Sequence, residues 1–311
     1  MLRIEAWWRR WRDRAPAAPA NADGTEASAR AGPAGGATRG AAGAVDDARW
    51  QPALARCPVI GHLDAAARSR LRELAARFLA TKPITAAGGL VLTEPMRLDI
   101  ALQACVPILE LGIGSYASWV EVIVYPDAFV VEREMTDEDG VVHLVREPLS
   151  GESWADGPVI LSWADVQGSD AQRGYNVVLH EFAHKLDMLD GAADGVPPLH
   201  AGMRREDWHA AFSEAFDDLV QRVDRLERRR VRRRGTEPDL SGVPPDDDWS
   251  SLPLDPYACK DAGEFFACAS ESFFEAPQRL MQAYPQVYRQ LVLFYRQDPL
   301  AEPSPAVGPA R

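Results

Sequence analysis

His180-Glu181-Phe182-Ala183-His184 is an H-E-x-x-H sequence, and its residue types and spacing point to metal chemistry. On an α-helix four residues turn about 400° and rise about 6 Å, so both imidazoles project from one face and can meet a single ion. Zinc held in this way has Zn–N distances of about 2.0 to 2.1 Å. Glu181, one residue along, turns away from the pair yet stays near enough to serve as general base on a metal-activated water. A bare five-residue match is a hypothesis, and the surroundings decide. Here Val177, Val178, Leu179, Phe182, Ala183, Leu186 and Leu189 make the stretch apolar nearly all round, as suits a helix in the middle of a domain. Two histidines and a glutamate on such a helix are costly to bury without an ion or a charge partner.

A catalytic zinc site takes a third protein ligand and keeps one position open for water. Downstream, GEFFACASESFFE places Glu264 and Glu271 seven residues apart, back on one helix face within about 20°. One of them is enough, and spacing leaves the choice open. Tyr257, seven residues ahead of Glu264, offers a phenol for a developing oxyanion, although spacing alone favours a packed core tyrosine. Asp187, three residues past His184, can orient a ligand histidine or pair with Lys185 or solvent. A closed, purely structural zinc site would need a fourth protein ligand, for which Cys259 and Cys268 are candidates. His62, His143, His200 and His209 lack an i, i+4 partner, and ordinary structural roles are expected for them. No Gly-rich phosphate loop, nucleophile elbow or helix-turn-helix signature is evident.

The elements that must position these groups can be read from periodicity. The motif helix is expected over 175–189, stopped at Asp190-Gly191 because glycine takes the left-handed conformation that ends helices. PVILSW (158–163) precedes it as a strand, and WVEVIVYP (119–126) and AFVVE (128–132) read as strands around a Pro-Asp turn. Leu90–Leu92 is a further strand candidate. Asp64 is placed to cap a helix over 65–80, where Leu71, Leu74, Ala75, Phe78 and Leu79 recur at helical spacing. Helices are also expected over 99–111, 208–234, 262–275 and 286–295, with Pro277 stopping the third of these.

Composition bounds the rest. The 311 residues carry 34 Lys plus Arg against 46 Asp plus Glu, a formal charge of −12, which disfavours direct binding to nucleic acid. No apolar run reaches the roughly 18 residues of a membrane span, and no signal-peptide core follows the basic N-terminus, so a cytoplasmic protein without a transmembrane segment is expected. Four cysteines without a C-x-x-C pair read as buried thiols. Residues 1–49 are expected to form a disordered tail, being rich in Ala, Gly and Pro over 15–45, with a Trp/Arg segment around Trp7, Trp8 and Trp11. The folded domain is expected over 50–301, with an Arg-rich loop insertion at about 225–250 and a flexible C-terminus over 302–311. Nothing in the sequence demands more than a monomer.

Several blocks in one order carry a resemblance: PILELG (107–112), EVIVYPDAFVV (121–131), GPVILSWADVQ (157–167), VVLHEFAHKLDMLDG (177–191), GVPPL (195–199), DPYACKDAGEFFACASESFF (255–274) and FYRQDPL (294–300). Together they resemble the Mlc titration factor A family of bacterial zinc-dependent peptidases. That resemblance implies an α+β fold, mostly helical and zincin-like, with a small sheet and an H-E-x-x-H helix, related to the catalytic core of anthrax lethal factor. It implies one Zn2+ per chain, held by His180, His184 and Glu264, with Glu181 as catalytic base and Tyr257 stabilising the transition state. Aminopeptidase-like action on small peptide substrates is implied, as is binding of an Mlc-type transcriptional repressor linked to sugar phosphotransferase genes. The competing expectation is a non-catalytic binding protein that sequesters such a repressor.

Overall fold

The structure, a computed structural model, describes residues 47–127, 129–136, 142–149, 151–153, 157–169, 174–191, 193–234 and 248–301. The expected tail up to residue 46, residues 235–247 of the expected Arg-rich insertion, and the C-terminus from residue 302 lie outside the described residues.

The described chain begins with α1 (Asp47–Ala55), which straddles the expected domain start. It continues into α2 (Ala65–Thr81), where Asp64 accepts the Ala67 N–H at 2.7 Å and so satisfies a donor that the first helical turn leaves unpaired. β1 (Ile84–Ala86) follows, then α3 (Glu94–Cys105). Here two expectations need correction. Leu90–Leu92 is not a strand: Gly88 and Gly89 have φ of +60° and +79°, which breaks extended pairing, and Val91 is exposed. The helix expected from Asp99 starts earlier, because Thr93 caps it and Pro95 suits a first turn, and it ends before Pro107, which cannot continue the ladder.

Five strands come next: β2 (Val122–Tyr125), β3 (Phe129–Thr136), β4 (Val142–Leu149), β5 (Gly151–Ser153) and β6 (Val159–Ser162). β1, β2 and β6 are parallel neighbours, with Ile84 beside Val122 and Val122 beside Val159, and β5 closes the sheet antiparallel to β6. β3 and β4 form a separate antiparallel ribbon, registered from Phe129 opposite Leu149 to Thr136 opposite Val142. The remaining helices are α4 (Trp163–Gln167), the motif helix α5 (Val177–Asp187), the long α6 (Arg205–Arg234), α7 (Ala262–Glu275), α8 (Pro277–Ala283) and α9 (Pro285–Tyr295). This is the expected α+β class, mostly helical with a small sheet. Among the described residues no helix is long and apolar enough to cross a membrane.

The core sits on either side of α5. On one side Phe182 is fully buried among Phe78 of α2, Tyr116 and Trp119, with ring centroids 5.2 to 5.7 Å apart in tilted or edge-on pairs. Lys185, also buried, donates to the Gly157 carbonyl at 2.8 Å and lies 5.4 Å from the Trp119 ring, so its ammonium is not left without compensation. On the other side α5 packs against α7. Behind α7, Trp208 and Phe212 of α6 stack at 4.2 Å and meet Phe265 and Phe266. All four cysteines are free and buried, as their scattered spacing suggested.

Candidate metal centre

α5 is fastened at both ends. Asn176 caps it, its Oδ1 accepting the Leu179 N–H at 3.0 Å, and Gly191, with φ of +110°, ends the short turn that follows it. Within it His180 and His184 stand four residues apart, and their Nε2 atoms approach to 3.1 Å. α7 is capped by Asp261, whose Oδ1 accepts the Glu264 N–H at 2.9 Å, and this sets Glu264 in the first turn, where the helix dipole favours a carboxylate. Glu264 Oε2 lies 3.0 Å from His180 Nε2 and 3.2 Å from His184 Nε2.

Three electron-pair donors therefore converge on one point, and the fit to a divalent cation can be tested from them. Bonds of about 2.0 to 2.1 Å in a tetrahedron put neighbouring ligand atoms about 3.3 Å apart. The observed 3.0 to 3.2 Å is within a few tenths of that, and two imidazoles with one carboxylate suit zinc. The three residues fit such an ion. Of the two glutamates that spacing left open, Glu264 is the one facing both Nε2 atoms. Glu271 approaches the opposite edge of the His180 ring, with Oε1 2.7 Å from Nδ1. Cys268 groups with His180 and Glu271 on that same edge, away from His184 and Glu264. Among the described residues Cys259 is in neither group.

The second oxygen of Glu264 is held apart from the first. Its Oε1 accepts the Tyr257 hydroxyl at 2.6 Å and the Lys260 ammonium at 2.8 Å, so the phenol expected near the site does reach it. Tyr257 stands on a short helical turn opened by Asp255, which accepts the Tyr257 N–H at 2.8 Å. Its ring lies 5.9 Å from that of His180, and Glu181, itself buried, is near enough for its charge to act on the phenol. Burial, reinforced by the Glu264 charge, pushes the Tyr257 hydroxyl well above the usual phenol range, which favours the protonated, donating phenol. Burial alone would raise the Glu264 carboxyl, but hydrogen bonds and charge from His180 and His184 hold it well below the usual carboxylate range. His180 shows the converse: burial disfavours its charged form, yet Glu271 and Glu264 raise it well above the ordinary imidazole value.

Asp187 has a partner that its spacing did not suggest. Its Oδ2 accepts the Gly195 N–H at 2.9 Å, tying the loop after α5 back to the helix. Among the described residues its Oδ1 and His184 Nδ1 are buried atoms without a hydrogen-bond partner. His200 stacks on Phe294 and contacts its carbonyl at 2.8 Å, and the exposed His209 meets Arg205, both apart from the centre. Sequence reasoning did not single out Lys260 or Asn176. Both left a signal: Lys260 precedes Glu264 by one helical repeat, and Asn176 stands just ahead of the apolar run as a natural cap.

Comparison with known proteins agrees with this geometry. The sequence matches the family described as glucose-regulated metallo-peptidase M90 over residues 37–296. It is 40% identical over 257 residues to Mlc titration factor A of Klebsiella pneumoniae, covering 81% of this chain and 87% of that protein. The protein of the same name from Serratia proteamaculans is 38% identical over 258 residues, with 82% and 88% covered, and that from Yersinia enterocolitica 36% over 256 residues, with 82% and 87%. The family that the sequence blocks suggested is the one found: this chain belongs to the glucose-regulated M90 metallopeptidases.

Proposed function

We propose that the protein is a zinc-dependent peptidase of aminopeptidase type, acting on small peptides in the cytoplasm through a domain spanning residues 50–301. His180, His184 and Glu264 would hold one Zn2+. When bound there, zinc supplies Lewis acidity for the scissile carbonyl and lowers the pKa of water. Glu181 takes the proton of the attacking water and returns it to the leaving amine nitrogen, so one carboxylate serves as base and then as acid. Tyr257 donates its hydroxyl hydrogen to the oxygen that gains charge as the carbonyl carbon becomes tetrahedral. Lys260 remains on Glu264 Oε1 when the phenol turns to substrate, so that oxygen keeps a donor. The observation that carries the reading is the approach of both Nε2 atoms and one Glu264 oxygen to within 3.2 Å of each other, beside a phenol held on the second oxygen.

Glu181→Gln tests it, because the amide keeps the shape and loses the base. The expected result is unchanged zinc content with peptidase turnover lowered by about 10² to 10⁴-fold. Full turnover in this variant would place the base elsewhere. The name borne by the relatives supports a second element, association with an Mlc-type repressor and through it with sugar phosphotransferase genes. The same variant separates the two: retained repressor binding without hydrolysis would mark sequestration as an activity of its own.

A further inference from the structure

We propose that Glu271 is a positioning residue for the metal, acting through His180 by fixing the imidazole proton on Nδ1 and leaving the Nε2 lone pair toward Glu264 and His184. This rests on the reading that His180, His184 and Glu264 hold a divalent cation. Glu271 lies two turns beyond Glu264 on α7 and is buried. Its two oxygens have separate partners. Oε2 accepts the backbone N–H of Asn176 at 2.6 Å, and Oε1 lies 2.7 Å from His180 Nδ1.

Hydrogen-bond direction decides the rest. The Asn176 N–H is a donor only, so whatever atom faces it must accept. A carboxylate accepts with both oxygens, so the atom facing His180 is an acceptor as well, and Nδ1 must donate. In a neutral imidazole with its proton on Nδ1, the lone pair is on Nε2, the atom 3.0 Å from Glu264 Oε2 and 3.1 Å from His184 Nε2. The H-E-x-x-H sequence by itself does not choose between the two tautomers. The carboxylate in turn sits in a braced frame. The Asn176 side-chain amide donates to Gln103 of α3 at 2.8 Å and to Glu275 at the end of α7 at 2.6 Å, while its carbonyl oxygen caps α5.

Glu271→Gln is consequently not conservative. An amide has one accepting end and one donating end. If its oxygen turns to the Asn176 N–H, its NH₂ group faces Nδ1 and draws the imidazole proton to Nε2, where the metal needs the lone pair. If the amide turns over, the tautomer is kept but the Asn176 N–H is buried against another donor. A role in packing alone would be met by glutamine, which has the same shape.

The test measures the zinc dissociation constant of the full chain, starting metal-free, by competition with a chromophoric chelator. Glu271→Gln is expected to bind zinc on the order of 10- to 100-fold more weakly than the parent. Its metal-free thermal midpoint should fall, because His180 loses a buried charge partner, so the affinities are compared at a temperature at which both proteins are folded. Affinity within about threefold of the parent, in a folded variant, would overturn the assignment. A parent that bound no zinc would overturn the metal reading beneath it, a distinct result. A second measurement needs no variant: in zinc-loaded parent labelled with ¹⁵N-histidine, the His180 Nδ1 proton should be more deshielded and slower to exchange than that of His184, whose Nδ1 has no hydrogen-bond partner among the described residues. Equal behaviour of the two rings would refute the proposal.

Discussion

Gly195 joins three elements of the site, and replacing it by alanine should cost far more than its side chain suggests. Its N–H donates to Asp187 of α5, and its carbonyl accepts the Trp208 indole of α6 at 2.9 Å. With φ at +78°, an added Cβ would stand 2.4 Å from the Ala262 carbonyl oxygen and 2.8 Å from its carbon, at the start of α7. The left-handed conformation costs a non-glycine residue about 1 to 2 kcal/mol. The overlap involves backbone, which cannot rotate aside, so the loop must lift and strain two hydrogen bonds worth about 1 kcal/mol each. A loss of about 3 to 4 kcal/mol follows. Gly191→Ala is the matched control: φ is +110° but nothing lies within 4 Å of its Cβ, so only the conformational cost of about 1 to 2 kcal/mol applies. Urea unfolding of the metal-free proteins measures both. With a slope of about 2 to 3 kcal/mol per molar, the midpoints should differ by nearly 1 M. Ala262 is two residues from Glu264, so zinc affinity should also fall in Gly195→Ala and not in Gly191→Ala. Equal midpoints for the two variants would refute the argument that close backbone approach, rather than φ alone, demands glycine at 195.

Phe182→Ala removes the ring at the centre of the Phe78, Tyr116 and Trp119 cluster and should destabilise by about 3 to 5 kcal/mol in the same urea assay; a loss under about 1 kcal/mol would show that the cluster collapses around the gap. Burial pushes the Asp187 carboxyl up to about 7, against about 3.9 in an unfolded chain. The folded state thus keeps this proton longer, so stability from this group is fully present below about pH 4, declines as pH rises to about 7, and is level above that. Asp187→Asn should flatten that decline in a stability–pH series, and an unchanged slope would assign it to other groups. The Arg70–Glu110 pair, at 2.5 Å, lies on the surface with the arginine more than half exposed, so Arg70→Ala should shift stability by less than about 0.5 kcal/mol, and a larger loss would mean the pair is not screened.

What could be read from the sequence follows from how local each signal is. The motif helix, its glycine stop, the Asp64 cap and the strands at Val122 and Val159 are all encoded within a few residues, and each is found where periodicity and caps put it. Leu90–Leu92 misled because three apolar residues in a row describe a strand only if a neighbour pairs with them, and here two glycines turn the chain away. Glu264 and Glu271 share a helical face to within about 20°, so spacing could not tell them apart. The approach of α7 to α5 does so, setting one carboxylate on the Nε2 edge of His180 and the other on its Nδ1 edge. Asp187 was legible as a residue with work to do near His184, but its partner, Gly195, lies in a loop whose path only tertiary packing defines.

The enclosed thiols have a use beyond packing. Burial pushes Cys57 and Cys259 up to about 12 and raises Cys105 and Cys268 as well, so none presents a thiolate to solvent while the fold is closed. Alkylation of any one must wait for its own segment to open, and the four segments differ: the turn after α1, the end of α3, the turn carrying Tyr257, and the middle of α7. The native chain is therefore its own set of breathing reporters, two distant in sequence from the proposed metal ligands and two within five residues of Glu264. Timed maleimide labelling with and without zinc would show how far ligation quiets the framework around it.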